Sequence, residues 1–348
     1  MPELRKDPIT QEWVIIATER GRRPSDFTQS SAAEGERPEF SPACPFCPGK
    51  EGTTPPEVLA FRNGAVANVG DWWVRCVPNK FPALAIEGEL NKRGLGMYDV
   101  MHGVGAHEVI IESPRHNEDP ATMSAFQMAE VVWAYRERYL DLRKDARFKY
   151  ILIFRNHGKV AGASLEHPHS QLIATPMIPI DVVNEIHGAE RYYQYHERCI
   201  WCDMVRHELE QAVRVVSETE HYLVFEPFAS KYPFETWLMP KSHQASFAAM
   251  PRERVVEFAG LMRDIFGRIS RCLNAPPYNF AIHTAPFDRE DSEIFHWHMV
   301  IMPRLTIAAG FEMGTGIYIN VTTPEDAARY LVEARDITTA PLTLEVSV

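Results

Sequence analysis

Two histidines one residue apart, His167 and His169, flank Pro168 and are followed by Ser170 and Gln171. Proline fixes its own backbone and removes a donor, so the stretch suits an extended segment better than a helix, where metal-binding pairs sit four apart. On a strand the two imidazoles share a face. One can then bind a metal while the other meets a substrate; two satisfied histidines in a loop are the bland alternative. Four of the six cysteines form two Cys-x-x-Cys pairs, Cys44 with Cys47 and Cys199 with Cys202. Such pairs in a reducing compartment bind metal or do redox chemistry, and six cysteines in 348 residues are too few for a disulfide scaffold.

The order of these residues repeats. The first half reads Cys-x-x-Cys, His116, an apolar helical pattern, a strand pattern, then His167-x-His169. The second reads Cys-x-x-Cys, His243, helix, strand, then His296-x-His298. The single His precedes its pair by 51 and 53 residues. From the second Cys to the single His the intervals are 69 and 41, and the extra length of the first half is expected in loops, for instance around residues 64–70. Matching order twice over argues for an internal duplication.

Each half therefore offers a full tetrahedral zinc set: Cys44, Cys47, His116 and His167, then Cys199, Cys202, His243 and His296. A closed four-ligand site leaves no place for a catalytic water, so both Zn²⁺ sites read as structural. A thioredoxin-like redox role fits Cys44 and Cys47 less well, because no strand-to-helix junction surrounds them. With His167 on a metal, His169 is held in a stiff frame. An imidazole nitrogen can attack phosphorus and form a phosphoramidate, provided an acceptor holds the other nitrogen as N–H; the His167 carbonyl is one such acceptor. Gln171 would share the face of His169, where its amide can donate to a phosphoryl oxygen. His298 is followed by Met299-Val300 instead of Ser-Gln. Its apolar neighbours favour a buried structural histidine, which places the chemistry in the first half alone.

These residues need a scaffold, and composition bounds it. Hydrophobic and charged contents of 45% and 24% fit a globular chain of about two domains, divided here as 1–180 and 181–348. A formal charge of -11 argues against nucleic-acid or anionic-membrane surfaces, which need a basic face. The N-terminus lacks the apolar run of a signal peptide and no stretch approaches a membrane span, so the expected location is cytoplasmic. Strands are predicted near residues 13–16, 72–77, 107–112, 150–154, 222–225, 236–239 and 279–283. Helices are predicted over 121–142 and 252–272; Met123, Phe126, Met128, Val131, Val132, Tyr135 and Tyr139 mark the apolar face of the first, and Val255, Val256, Phe258, Leu261, Met262, Ile265, Phe266 and Ile269 that of the second. Residues 24–42, rich in Ser, Ala, Glu, Gly and Pro, read as a loop.

His167-Pro168-His169-Ser170-Gln171, Cys44-Pro45-Phe46-Cys47, and the opening Arg5-Lys6-Asp7-Pro8-Ile9-Thr10 with Arg20-Gly21-Arg22-Arg23-Pro24 resemble the galactose-1-phosphate uridylyltransferase family of the histidine-triad superfamily. The resemblance covers residues 5–330. It implies an α+β fold of two tandem histidine-triad-like halves with antiparallel sheets and packed helices, a homodimer, and ping-pong transfer of UMP from UDP-glucose to galactose 1-phosphate through nucleotidyl-His169. It also implies nucleotide contacts at Asn79, Phe81, Asn156, Ser164 and Gln171, with Arg20 and Arg23 reaching across the dimer, and hexose contacts in the segment with Phe311 and Glu312. Two departures stand out. The family's base-contacting Asn-Asp-Phe reads Asn79-Lys80-Phe81 here, and the second metal site, a carboxylate with three histidines in bacterial members, has Cys199 and Cys202. The first departure removes uracil recognition through that acid. The second, with Gly310-Phe311-Glu312-Met313-Gly314-Thr315-Gly316, is similar to a plant branch that acts as ADP-glucose phosphorylase, which makes adenylyl transfer the second reading. A histidine-triad nucleotide hydrolase, or a zinc-knuckle binding module without a nucleophile, are the readings from other classes.

Overall fold

Short runs of β-branched and aromatic residues separated by Gly, Pro and Asn favour strands and turns. In the computed structural model, which describes residues 1–28, 37–64 and 66–335, fifteen strands and seven α-helices form. The strands of the first half are β1 (Glu3–Lys6), β2 (Trp13–Ile16), β3 (Leu59–Arg62), β4 (Trp72–Pro78), β5 (Arg93–Leu95), β6 (Tyr98–Val100), β7 (Ala106–Ile111), β8 (Tyr150–His157) and β9 (His169–Thr175). Those of the second are β10 (Val215–Glu218), β11 (Tyr222–Phe225), β12 (Thr236–Pro240), β13 (Tyr278–His283), β14 (His298–Pro303) and β15 (Tyr318–Asn320). The helices are α1 (Pro24–Thr28), α2 (Ala125–Leu142), α3 (Ile180–His196), α4 (Ile200–Gln211), α5 (Arg252–Leu273), α6 (Gly310–Thr315) and α7 (Pro324–Glu333).

Ten strands make one sheet in the order β10-β11-β12-β14-β13-β8-β9-β7-β4-β3, all neighbours antiparallel. This is the α+β architecture expected from the sequence. Each half contributes three strands, a long helix and two more strands, and the copies meet edge to edge where β8 pairs β13 with Asn156 opposite Asn279. A second sheet, β1-β2-β15, ties the N-terminus to the end of the second half. There Arg5 binds both carboxylate oxygens of Glu325 at 2.9 and 3.0 Å.

Helices α2 and α5 lie together on one face of the large sheet. Met128, Val132 and Tyr135 of one and Val255, Met262 and Ile265 of the other enter a single apolar cluster with Ile151, Ile153, Leu172, Val224 and Ile301. The opposite face differs between halves. Over the second half, α3 and α4 bury Val182, Ile186, Trp201 and Val205 against Leu223, Phe225, Trp237, Met239 and Val300. Over the first half that face carries His169 and Gln171.

Several expectations are corrected. Helix α2 starts at Ala125, later than predicted, because Ser124 caps it by accepting the Gln127 N–H and Asp119 holds the N–H groups of Ala121 and Thr122 in a turn. Phe126 and Val256, assigned to apolar faces, are exposed, and Phe126 packs instead beside Trp73. Residues 24–28 are helical where a loop was expected; residues 29–36 of that loop lie outside the described residues. Most of the extra length of the first half falls in the β4–β7 connection, residues 79–105, with its β5–β6 hairpin, rather than at 64–70; the matching connection in the second half is 226–235. Helices α3 and α4 were not foreseen. Among the described residues no helix is long and apolar enough to cross a membrane.

Gly188 of α3 sits where a Cβ would lie 1.9 Å from the carbonyl oxygen of Ile9, so the N-terminal turn packs directly on the helix backbone. Gly188→Ala should cost about 1–3 kcal/mol through that clash. Gly260→Ala in α5, where a Cβ meets nothing within 4 Å, should stabilise by about 0.5–1 kcal/mol. Urea midpoints of the two variants against the parent check both signs.

Candidate active site

The register of two strands assembles the first cysteine and histidine cluster. Ile111 at the end of β7 is opposite His169 at the start of β9. The residues just after β7 and just before β9 therefore meet, and His116 reaches His167 across 51 positions of sequence. Pro168 has no N–H to continue the ladder, but its carbonyl accepts the Glu112 N–H at 3.0 Å. The Cys44–Cys47 turn closes the group from outside. Cys47 Sγ lies 3.6 Å from Nδ1 of both His116 and His167, and those two nitrogens are 3.3 Å apart. Zinc bonds of usual length give tetrahedral edges of about 3.5 Å from sulfur to nitrogen and about 3.3 Å between nitrogens. These three edges fit a Zn²⁺ ion, and Cys44 lies within 4.8 Å of the other three ligand atoms as a fourth. His167 Nε2–H donates to the Ser113 carbonyl at 2.8 Å, which leaves Nδ1 as the ligand nitrogen.

The same construction recurs in the second half, where β12 and β14 pair with Leu238 opposite Met299. Cys202 Sγ stands 3.4 Å from His243 Nδ1 and 3.7 Å from His296 Nδ1, with Cys199 completing the group. His243 Nε2–H donates to the Ser292 carbonyl at 2.9 Å. This centre is less enclosed, because Cys202 is half-buried and His243 exposed.

His169 follows directly from the first cluster. Its Nδ1–H donates to the His167 carbonyl at 2.8 Å, so Nε2 keeps its lone pair. Burial, with the Arg155 guanidinium nearby, pushes the imidazole down to about 4 against the partial support of that carbonyl, so the ring is neutral near pH 7. The ring borders a cleft of about 230 Å³ together with His167, Asn156, Ser164, Lys159 and Arg37. Phe46, from between the two cysteines, packs edge-on against it with centroids 5.5 Å apart. A neutral imidazole with one nitrogen anchored and the other beside an open cleft can act as a nucleophile.

His298 is the internal control. Its Nδ1–H also donates to a carbonyl two residues back, that of His296, at 3.1 Å, and burial pushes it too down to about 4. But Trp237 stacks on the ring at 4.7 Å, and Nε2 is buried without a hydrogen bond, 3.8 Å from Glu185 Oε1. Beside it, Glu185 Oε1 binds His283 Nδ1 at 2.8 Å, and Glu185, His283 and His298 could together hold a metal ion. The second half thus holds, besides the cysteine-containing cluster, a group of one carboxylate and two histidines. Glu185 and His283 escaped the sequence reading because they lie 98 residues apart and only the sheet and α3 bring them together. The burial expected at His298 is observed.

The remaining candidates divide. Asn156 and Ser164 line the cleft with His169, and Gln171 stands two residues along the same face. Asn279 Nδ2 donates to Asn156 Oδ1 and to the Ala161 carbonyl, both at 2.8 Å, so the second half clamps the 158–163 loop of the first. Asn79 and the exposed Phe81 begin the β4–β7 connection. Arg23, Phe311 and Glu312 do not line this cleft. The turn holding Arg23 is bonded to the β1-β2-β15 side through Arg22 N–H and the Val321 carbonyl, and Glu312 accepts the Ala309 N–H at the start of α6. The Arg20 side chain lies outside the described residues. A residue missed altogether is His107, whose Nε2 is 2.7 Å from Gln171 Oε1.

Behind the strand that bears His169, Arg155 and Glu112 form an ion pair, each about 1% exposed. Glu112 also accepts from Tyr135 Oη at 2.8 Å, and its carbonyl from Gln127 at 2.6 Å.

Comparison with known proteins follows the duplication. The family description "Galactose-1-phosphate uridyl transferase, N-terminal domain" matches residues 1–179, and its C-terminal counterpart matches residues 185–332. The chain is 35% identical over 336 residues to the ADP-glucose phosphorylase of Arabidopsis thaliana, covering 95% of this chain and 93% of that one. It is 31% identical to the galactose-1-phosphate uridylyltransferase of Thermotoga maritima, covering 96% and 98%. Among solved structures, the A. thaliana ADP-glucose phosphorylase with bound ADP-glucose superposes with a TM-score of 0.80 at 33% identity, over 96% of this chain and 99% of that one. A uridylyltransferase superposes with 0.74 at 27%, over 96% and 98%.

Glu112→Gln should destabilise by about 3–5 kcal/mol, because it leaves the Arg155 charge buried without its partner. Glu112→Gln combined with Arg155→Met should recover much of that loss. Denaturant unfolding of the single and double variants measures it.

Proposed function

The chain belongs to the galactose-1-phosphate uridyl transferase family, and from that premise we propose that it is a nucleotidyltransferase moving UMP from UDP-glucose to galactose 1-phosphate through His169. The observation that carries this is the His169 ring, tied at Nδ1 to the His167 carbonyl and bordering the cleft. In the first half-reaction Nε2 attacks the α-phosphorus. A P–N bond forms, the phosphoanhydride P–O bond breaks, and glucose 1-phosphate leaves with the bonding pair. In the second, a phosphate oxygen of galactose 1-phosphate attacks the phosphoramidate and returns the pair to Nε2. Each step is a single displacement, and its charge shifts are met by donors fixed in advance. Asn156, Ser164 and Gln171 supply such donors, and Asn79 and Phe81 bound the nucleoside end.

Zn²⁺ at Cys44, Cys47, His116 and His167, and at Cys199, Cys202, His243 and His296, serves as a structural clamp, worth on the order of 10 kcal/mol each where ligand geometry is this close to tetrahedral. A homodimer is part of the reading: Arg20, Arg23, Phe311 and Glu312 belong to this site only if a second copy brings them to the cleft. Six free thiols suit the cytoplasm. The 1–180 and 181–348 halves are read as copies of one ancestral unit.

A second reading, adenylyl transfer with ADP-glucose, is favoured by the 35% identity to the A. thaliana ADP-glucose phosphorylase and by Lys80 in place of an acid between Asn79 and Phe81.

Incubation with UDP-glucose or ADP-glucose without acceptor, followed by mass spectrometry, decides both points. A uridylyl adduct on His169 supports the first reading and an adenylyl adduct the second. His169→Ala should lose at least about 10³-fold in turnover; unchanged turnover and no adduct with either nucleotide sugar would sink the mechanism. Metal analysis should return about two zinc per chain, and a value near zero would remove the structural clamp.

A further inference from the structure

His107 lies on β7 on the face of Gln171, opposite Ile173 where Val109 is opposite Gln171. Three polar groups surround its ring. The Ala83 backbone N–H lies 3.1 Å from Nδ1, Gln171 Oε1 lies 2.7 Å from Nε2, and Asn79 Nδ2 lies 3.1 Å from Nε2. Carboxamides can be turned end for end and an imidazole proton can sit on either nitrogen, but a backbone N–H can only donate. Ala83 therefore requires a lone pair on Nδ1. The proton must then be on Nε2, and only an oxygen of Gln171 can stand 2.7 Å away. The orientation of Asn79 is set the same way, since its Oδ1 accepts the Phe81 backbone N–H at 2.9 Å. Its amino group faces an Nε2–H that cannot accept.

Two carboxamide NH₂ groups, of Gln171 and Asn79, are thus left without a protein acceptor among the described residues. Both face the side of the sheet that carries His169. We propose that His107 is a positioning residue: through Nε2–H it holds Gln171 with its carbonyl towards the ring and its NH₂ free for a phosphoryl oxygen of the nucleotide. The Ala83 contact makes that orientation depend on the 79–83 segment at the nucleoside end, so the base-side loop and the phosphate-side amide are set together. The proposal rests on the nucleotidyl-transfer reading for its ligand, but the ring geometry is independent of it.

Two measurements test it. In protein labelled with ¹⁵N-histidine, the long-range ¹H–¹⁵N pattern that disappears in His107→Gln should be that of the Nε2–H tautomer. An Nδ1–H or imidazolium pattern overturns the proposal, whether or not the protein transfers nucleotide. The second is a double-mutant cycle on the single-turnover rate of adduct formation at His169. His107→Ala and Gln171→Ala should each slow the rate about 10- to 100-fold with little change in KM, since the lost donor acts on developing charge. The double variant should be no slower than Gln171→Ala, and His107→Gln, which keeps a donor in reach, should recover most of the rate. Effects that multiply in the double variant, or a loss in KM alone, overturn the proposal. Absence of any adduct in the parent protein defeats the proposed function instead, and the tautomer spectrum still decides the inference.

Discussion

The pairing of β7 with β9 is the constraint on which the site depends. With Ile111 opposite His169, the exit of one strand and the entry of the next occupy the same end of the sheet. A one-residue slip would move His169 and Gln171 to the helix-covered face and separate His116 from His167. Several interactions hold the register: the buried side chains of β7 and β9, the Pro168 carbonyl on Glu112, and the His167 ring on the Ser113 carbonyl. The cluster of Cys44, Cys47, His116 and His167 is therefore both a product of the register and a lock on it. His169 inherits its rigidity from that lock, since the carbonyl that anchors its Nδ1 belongs to His167 of the cluster.

The second half repeats the lock but not the access. His169 and His298 share the anchoring carbonyl two residues back and the same neutral state. What separates them is cover. Helices α3 and α4 and the Trp237 ring close over His298, and Glu185 from α3 enters the space a substrate would need. Over the first half the corresponding face opens to the cleft. The second copy still contributes to the first, because Asn279 crosses the β8–β13 junction to hold Asn156 and the loop behind it. One half carries the His169 ring, and the other braces Asn156, which lines the cleft beside it.

Buried polar groups mark the boundary between chemistry and scaffold. Arg155 and Glu112 are buried together behind the strand of His169, and Tyr135 and Gln127 of α2 complete Glu112. An ion pair so placed contributes less to stability than to keeping one arrangement, since either charge alone would be costly. His107 has a comparable place on the other face, where the Ala83 backbone N–H meets Nδ1 and Gln171 Oε1 meets Nε2.

The sequence by itself determined the duplication, the α+β class, the eight grouped metal-type ligands and the distinction between the two His-x-His pairs. All of these are carried by residue type and spacing, and side-chain chemistry does not change with the fold around it. Strand and helix cores at Trp72, Tyr150 and Val255 were legible for the same reason, as their periodicity is local. Helices α3 and α4 were not, because their apolar faces are interrupted by Glu185, Tyr192 and Asp203, whose partners lie elsewhere in the chain. Nor was the Glu185, His283 and His298 cluster, or the role of His107, since each joins residues with no common spacing. The tertiary structure alone decided what seals His298: that depends on helices α3 and α4 packing over one half of a continuous sheet, and no local pattern encodes which helices will lie above a strand.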